Sequence, residues 1–430
     1  VLAACLAACL VASDARAQAI PGNTGRFSLF YDWAERETDD GLTSDFGQLI
    51  GTLTLSSSRD SDALFEYELD LRYATYPGTE GRDDRVSVYD AWIGFHTRND
   101  RFRLRVGQMW LHELGGLASV GGAHAELRLD PSQAGRWRFG LFGGLEPKIL
   151  DAGYVDDITK GGVYVALDGD HGRRHTLAWI LIRNDELTER SVVVFNNFIP
   201  IARKFFVYQA MEYELEAADG LVDSRVTYFF ANLRWRLTPK LDLQGTYHYG
   251  RSINSRSITD DILLGRPIDP GTLEGLLFES GRVRIMYRPW KFLRLWAGYG
   301  EDRNNRGDDW YGRTLAGVSF VDPFGWGTSL TASMSRIDRE SGSYDSKYVS
   351  LSQSIGRRVW ISLDYITSLS VYRYRQSDGG YLVVNPESER WALSATININ
   401  RTFSLLLSGE FMDHDDFEEY RALTGLTVRF

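Results

Sequence analysis

The chain has 430 residues, a formal net charge of −10 at pH 7, 43% hydrophobic and 13% aromatic residues, 42 Gly and only 2 Cys. That apolar fraction excludes a disordered chain, and the acidic balance argues against a dedicated nucleic-acid binder. Beyond the N-terminal stretch no run approaches the ~18 apolar residues of a membrane-spanning helix.

Residues 1–12 are almost wholly apolar and are followed by Ser13-Asp14-Ala15-Arg16-Ala17. Ala15 and Ala17 form the small-residue pattern that signal peptidase reads. Residues 1–17 are therefore expected to be a signal peptide whose first residues are missing. Leu6-Ala7-Ala8-Cys9 is a weaker, lipobox-like alternative. Cleavage after Ala17 removes Cys5 and Cys9 and leaves no cysteine. An exported chain without disulfides follows, with no thiolate metal site and no cysteine nucleophile.

From there the chain alternates with period two. Phe65, Tyr67, Leu69, Leu71 and Tyr73 share one parity, and Glu66, Glu68, Asp70 and Arg72 share the other. Side chains alternate across a strand, so one face is apolar and the other charged. Leu241, Leu243, Tyr247 and Tyr249 alternate with Asp242, Gln244, Thr246 and His248. Val283, Ile285 and Tyr287 alternate with Arg282, Arg284 and Arg288, and Leu293 and Leu295 with Arg294. Between 192 and 216 both parities are apolar in places, and the register cannot be read. Short turn signals such as Asn99-Asp100 and Pro289-Trp290-Lys291 alternate with polar stretches at 37–45, 76–84, 252–275, 301–309, 337–346, 375–389 and 412–419. Hairpins with tight turns at one end and long loops at the other read this way. No convincing helical period is present, although short helices inside loops are allowed.

Alternation alone fits a soluble sandwich as well as a barrel in lipid. Aromatics near strand ends, such as Tyr31/Trp33 and Trp290/Phe292, favour the barrel with its aromatic girdles. The last strand carries Tyr420, Ala422, Thr424, Leu426, Val428 and Phe430 on one parity. It resembles the C-terminal signature of Gram-negative outer-membrane β-barrel proteins of the porin-like kind. The resemblance implies an assembly signal at Tyr420, Leu426, Val428 and Phe430, read by the barrel-assembly machinery. It also implies closure of that strand on the first, and contact with outer-membrane lipid and lipopolysaccharide.

The expected fold is all-β: a transmembrane antiparallel up-and-down β-barrel of about 18–22 strands, best count about 22. Residues 18–25 form a short periplasmic segment and 26–430 a single barrel. Only a few residues separate Gln18 from Arg26, so no plug domain is expected. A barrel this wide encloses a lumen, narrowed by inward side chains or an infolded loop. On lumen parities stand Arg103, Arg105, Arg128, Arg138, Arg234, Arg236, Arg282, Arg284, Arg288 and Arg294. The acids there are Glu66, Glu68, Asp70, Glu126 and Asp242. A basic wall beside or opposite an acidic one would orient dipolar solutes, and Arg would favour anions. Pairing of these charges across strands is the plainer alternative.

The seven His are scattered, and no Ser/His/Asp grouping or phosphate loop stands out. No enzyme activity, cofactor or metal is expected. Acidic tips such as Asp413, Asp415, Asp416, Glu418 and Glu419 read as solvated surface facing lipopolysaccharide. The leading function is a passive outer-membrane channel for small hydrophilic, anion-favouring solutes, with no nucleic-acid partner. An exporter of an anionic polysaccharide, as the alginate-export porins are, is one alternative. A plugged barrel acting as surface anchor or adhesin is another. Monomer and homotrimer both remain open.

Overall fold

The computed structural model describes residues 23–57, 64–79, 81–148, 150–201, 204–305, 310–339, 341–375 and 381–430. The expected signal peptide and residues 18–22 lie outside the described residues. In chain order the first strands are β1 (Asn23–Thr38), β2 (Thr43–Ser57), β3 (Phe65–Thr75), β4 (Arg85–His96), β5 (Phe102–Trp110) and β6 (Ser119–Arg128). Next come β7 (Arg136–Pro147), β8 (Tyr154–Asp168), β9 (Arg174–Asn184), β10 (Leu187–Ile201), β11 (Phe205–Ala217) and β12 (Arg225–Thr238). They are followed by β13 (Leu241–Ser252), β14 (Leu276–Trp290), β15 (Leu293–Asn304), β16 (Tyr311–Val321), β17 (Thr328–Arg339) and β18 (Gly342–Ile355). The last are β19 (Val359–Arg375), β20 (Tyr381–Val384), β21 (Glu387–Asn398), β22 (Phe403–His414) and β23 (Phe417–Arg429).

These strands form one closed antiparallel meander. β20 and β21 both pair with β19, at its far end and along its length. They make a single interrupted stave, so the ring has 22 staves, the best sequence count. β23 closes on β1 in register from Arg26 opposite Arg429 to Thr38 opposite Phe417. Tyr420, Leu426 and Val428 sit opposite Glu35, Leu29 and Phe27 across this seam. Gly25 and Phe430 exchange both backbone hydrogen bonds, at 2.7 and 3.0 Å. A Cβ on Gly25 would fall 2.2 Å from the Phe430 ring, so only glycine leaves room for it. Arg36 and Glu419 pair across the same seam at 2.6 Å, and Arg421 pairs with Asp32.

Burial alternates residue by residue where the inside is filled. On β7 and β9, Phe139, Leu141, Leu177 and Trp179 are exposed, while Arg138, Phe142, Thr176, Ala178 and Ile180 are buried. In a closed ring the exposed parity is the outer one. The outer face is therefore an apolar band, as lipid requires. Among the described residues no plug domain fills the ring.

Two sequence expectations need correction. The inner parity is not polar all the way round. On β8–β10 it carries Ile158, Ala166, Ala178, Ile180, Ile182, Val192 and Val194, all buried. Residues 111–118, between β5 and β6, fold into the barrel as two short 3-10 turns and reach β9 and β10. Leu114 and Ala118 from that segment complete an apolar core on the lumen side. This explains the unreadable register near 192–216: apolar residues there serve both lipid and an inner core. The second correction concerns the loops. The polar stretches at 37–45 and 412–419 are mostly strand, with turns only at 39–42 and 415–416. Charged residues complete a ladder as well as apolar ones do. Polarity marks where lipid ends, not where the strand ends.

The 252–275 connection is long, as expected, and holds two helices, α1 (Ser255–Leu263) and α2 (Pro270–Glu274). Asn254 caps α1 by accepting from the Ser257 amide. Near the infolded segment Gly107 lies opposite Gly122, and Gly122 opposite Gly144. A Cβ on Gly122 would meet the Gly143 carbonyl oxygen at 2.0 Å. Glycine at 122 and 144 thus lets these neighbouring strands approach without a Cβ between them.

Candidate functional site

The first part of the inner surface is a lattice of alternating charges on β3–β9. Glu66 accepts from Arg105 Nε at 3.0 Å and lies 4.0 Å from Arg103. Arg103 reaches Asp100 at 2.8 Å, and Asp100 also holds Arg128 at 2.9 Å and Arg136 at 3.2 Å. Asp100 sits in the turn before β5. Burial works to raise its pKa, but the hydrogen bond and charge of Arg103, with the charge of Arg128, outweigh it. They hold the carboxyl below its ordinary value. Glu126 accepts from Arg138 at 2.8 Å and from the Tyr164 hydroxyl at 2.5 Å. Arg138 continues to Glu113 at 2.5 Å and Asp168 at 2.6 Å. Glu113 belongs to the infolded segment, so this lattice fastens that segment to the wall. Asn196 adds a 2.6 Å bond to the Glu113 carbonyl. A polar recess of about 410 Å³ lies among Arg105, His112, Glu113, Glu126 and Arg138.

The second part, on β12–β16, is unbalanced. Asp242 alone serves Arg288 at 2.9 Å, Arg234 at 3.3 Å and Arg236 at 3.4 Å. Asp302, fully buried, serves Arg282 and Arg313, both at 3.2 Å. Arg284 lies over the Trp296 ring at 5.5 Å and has no carboxylate partner among the described residues. Arg294 has neither an ion pair nor a side-chain hydrogen bond there. Arg234 sits opposite Gln244, and Gln244 opposite Arg284, so the guanidinium groups step across neighbouring strands. The acids Glu68 and Asp70 stand on β3, with Asp70 directly opposite Asp90 of β4. Asp90 accepts from the Trp110 amide at 3.0 Å. β14 is eleven staves on from β3 in the ring of 22, half the circumference. Glu68 and Asp70 therefore stand half the ring away from Arg282 and Arg284.

The third part is α1. Arg256 reaches Glu146 at 2.8 Å and Glu189 at 3.2 Å, and Lys160 meets Glu146 at 3.1 Å. Burial opposes the Arg256 charge, but its bonds to Glu189 and Glu146 prevail and raise its pKa. Asn184 donates to Asp260 at 2.8 Å. Ile258 packs with Ala217, Ala218 and Val222. One helix of the longest connection is thus docked against β7–β11.

Among the expected residues, Glu66 meets Arg103 and Arg105, Glu126 meets Arg128 and Arg138, and Asp242 meets Arg234, Arg236 and Arg288. Glu68, Asp70, Arg282, Arg284 and Arg294 pair with none of the other expected residues; Arg282 pairs with Asp302 instead. Glu113, Asp302, Arg313 and Arg256 escape sequence reading. Asp302 shares the parity of Arg294 on β15 and was open to detection. Glu113 and Arg256 sit in irregular connections, where no parity exists. Among the described residues no cluster of three His, Cys, Asp or Glu could hold a metal.

No family model and no curated protein matches the chain. Solved structures similar to it include OccAB4 of Acinetobacter baumannii, at 12% identity over 95% of this chain and 98% of that one, with a TM-score of 0.43. OccK7 (OpdD) of Pseudomonas aeruginosa shares 10% identity over 95% and 99%, with a TM-score of 0.44. OccK3 (OpdO) of the same organism shares 12% over 95% and 96%, at 0.43.

Proposed function

We propose that the chain is a porin-like channel of the bacterial outer membrane, passing small hydrophilic solutes by passive diffusion and favouring anions. The observation that supports this most is the charge asymmetry of the inner face. Cations outnumber carboxylates on β12–β16, and Glu68, Asp70 and Asp90 stand half a turn away. In a water-filled passage with low-dielectric walls, such an arrangement attracts and orients anionic or dipolar solutes. Arg103, Arg105, Arg128, Arg138, Arg234, Arg236, Arg282, Arg284, Arg288 and Arg294 line the path in this reading, with Glu66, Glu68, Asp70, Glu126 and Asp242. Arg284 and Arg294, without carboxylate partners among the described residues, give the filter its net sign. Residues 111–118 and α1 narrow the passage. The terminal strand, with Tyr420, Leu426, Val428 and Phe430, serves as the assembly signal. No catalytic step is assigned to the chain.

The test is single-channel conductance of refolded protein in a planar bilayer. Steady ohmic steps, with a reversal potential favouring anions in a salt gradient, are expected. Protein shown to be folded by heat-modifiable gel mobility, yet silent in the bilayer, would remove the channel reading and favour an anchoring role.

A further inference from the structure

At the barrel end away from the 252–275 connection, strands of the β14–β22 arc are joined by short turns at 291–292, 322–327, 356–358 and 399–402. In outer-membrane barrels short turns face the periplasm and long connections face out. Four cations stand exposed in these turns: Lys291, Arg357, Arg358 and Arg401. None of them has an ion pair or a side-chain hydrogen bond among the described residues. The single acid in these turns is Asp322, whose carboxylate accepts from the Gly327 amide at 2.7 Å. The β4–β9 arc is balanced instead. Its turns at 97–101, 129–135 and 169–173 set Arg98, Arg101 and Arg173 against Asp100, Asp130 and Asp170. Arg101 and Asp130 pair there.

The cationic arc also presents rings. Trp290 lies opposite Leu293 on the lipid parity and stacks on Phe292, with centroids 5.9 Å apart and planes at 4°. Phe324 and Trp326 are 70% and 71% exposed and meet at 5.1 Å. Their own turn holds them out: Asp322, Gly325 and Gly327 take left-handed backbone angles, and Gln353 donates to the Trp326 carbonyl at 2.7 Å. A headgroup layer accommodates both such rings and the cations beside them, and water does not.

We propose that this rim binds the phosphate headgroups of anionic phospholipids, of the phosphatidylglycerol type, in the periplasmic leaflet. The inference rests on the outer-membrane reading above. The rings reach the acyl boundary, and Lys291, Arg357, Arg358 and Arg401 meet the phosphates. A zwitterionic headgroup brings an ammonium that opposes the same cations, so net negative lipids are preferred. The balanced arc has no such preference.

The test reads lipid retention, not conduction. Refolded full-length protein in micelles with equal phosphatidylglycerol and phosphatidylethanolamine of the same chains is examined by native mass spectrometry. Phosphatidylglycerol is expected to be retained about fivefold over phosphatidylethanolamine. Arg357→Gln with Arg358→Gln is expected to lower that ratio severalfold, and adding Lys291→Gln and Arg401→Gln to abolish it. Phe324→Ala with Trp326→Ala is expected to lower retention of both lipids. Arg98→Gln with Arg173→Gln is expected to leave the ratio unchanged. All variants are checked for heat-modifiable mobility, and the double Arg variant decides if the fourfold one does not fold. Equal retention of both lipids by the unaltered protein overturns the proposal. So does an unchanged ratio in the folded double Arg variant, or lipid A displacing phosphatidylglycerol from these cations. Protein silent in a planar bilayer that keeps the preference removes only the channel reading. Protein soluble without detergent that retains neither lipid removes the outer-membrane reading, and this proposal with it.

Discussion

The wall from β5 to β10 and the wall from β14 to β19 share a backbone plan and differ in what lies inside them. Behind β5–β10 the inner face packs like a soluble core, with Leu114, Ala118, Ile180 and Val192 almost fully buried. Behind β14–β19 the inner residues include Arg282, Arg284, Ser319, Thr331 and Ser333, and among the described residues no segment folds over them as 111–118 does on the other side. Outer faces are alike: Leu141 and Trp179 on one side, Ile285 and Met334 on the other, all exposed. Lipid fixes only one parity of a barrel strand. The other parity is free to carry water, charge or a packed core, according to what is folded against it.

The largest expected effect breaks the packed side. Leu114→Asp places an unpaired carboxylate where Leu114 is 1% exposed, at a cost of about 3 kcal/mol or more. The segment 111–118 is expected to leave the wall while the ladder survives. Conductance per channel then rises, and heat-modifiable mobility persists. A closed channel or a lost barrel would show that the segment is structural for the ring itself. Next, the bare side separates its two parities. Met334→Arg on the lipid face, opposite Lys347 at the edge of the apolar band, is expected to cost up to about 1 kcal/mol in a urea refolding equilibrium. Ser333→Arg, one residue away and opposite Gly317, is expected to leave stability unchanged and lower conductance. A smaller effect follows from Arg284→Gln combined with Arg294→Gln. Anion-to-cation permeability is expected to fall about twofold, read from the reversal potential. An unchanged reversal potential would mean that these two groups do not set selectivity.

The smallest effect is a pH dependence at the foot of the packed side. Asp100 has a carboxyl held below its ordinary 3.8. Its contribution is therefore complete above that ordinary value, and is lost as pH falls through the depressed folded one. The midpoint of heat-modifiable unfolding should drop on acidification below pH ~4. Asp100→Asn should start lower and show less of that drop. An equal drop in the variant would move the effect to other carboxylates.

Sequence parity carried much of the ring: strand number and alternation follow from side chains that must face lipid every second residue, whereas the last strand's place beside the first came from the resemblance of its terminal Tyr420–Phe430 pattern to outer-membrane barrels. It also put Asp242 on the lumen side with Arg234, Arg236 and Arg288. It did not reveal the inner core, because Ile158, Ile180 and Val194 look like lipid-facing residues until their cover is known. That cover, Leu114 and Ala118, comes from a connection far along the chain, and no local period encodes such a docking. Arg256 was hidden for the same reason: its partners Glu146 and Glu189 lie on β7 and β10, reached only when α1 folds inward.

Asp242 gathers three guanidinium groups around one carboxylate. In a channel of the proposed kind it acts as a resident surrogate for the travelling anion. A solute carboxylate arriving beside it finds donors already spaced for a carboxylate. Each guanidinium can pass from the resident to the visitor without standing bare in between. The visitor in turn competes with a fixed charge that is never diluted, so its stay is short. Fast throughput needs entry that is favourable and exit that is easy, and one immobile acid among three arginines supplies both.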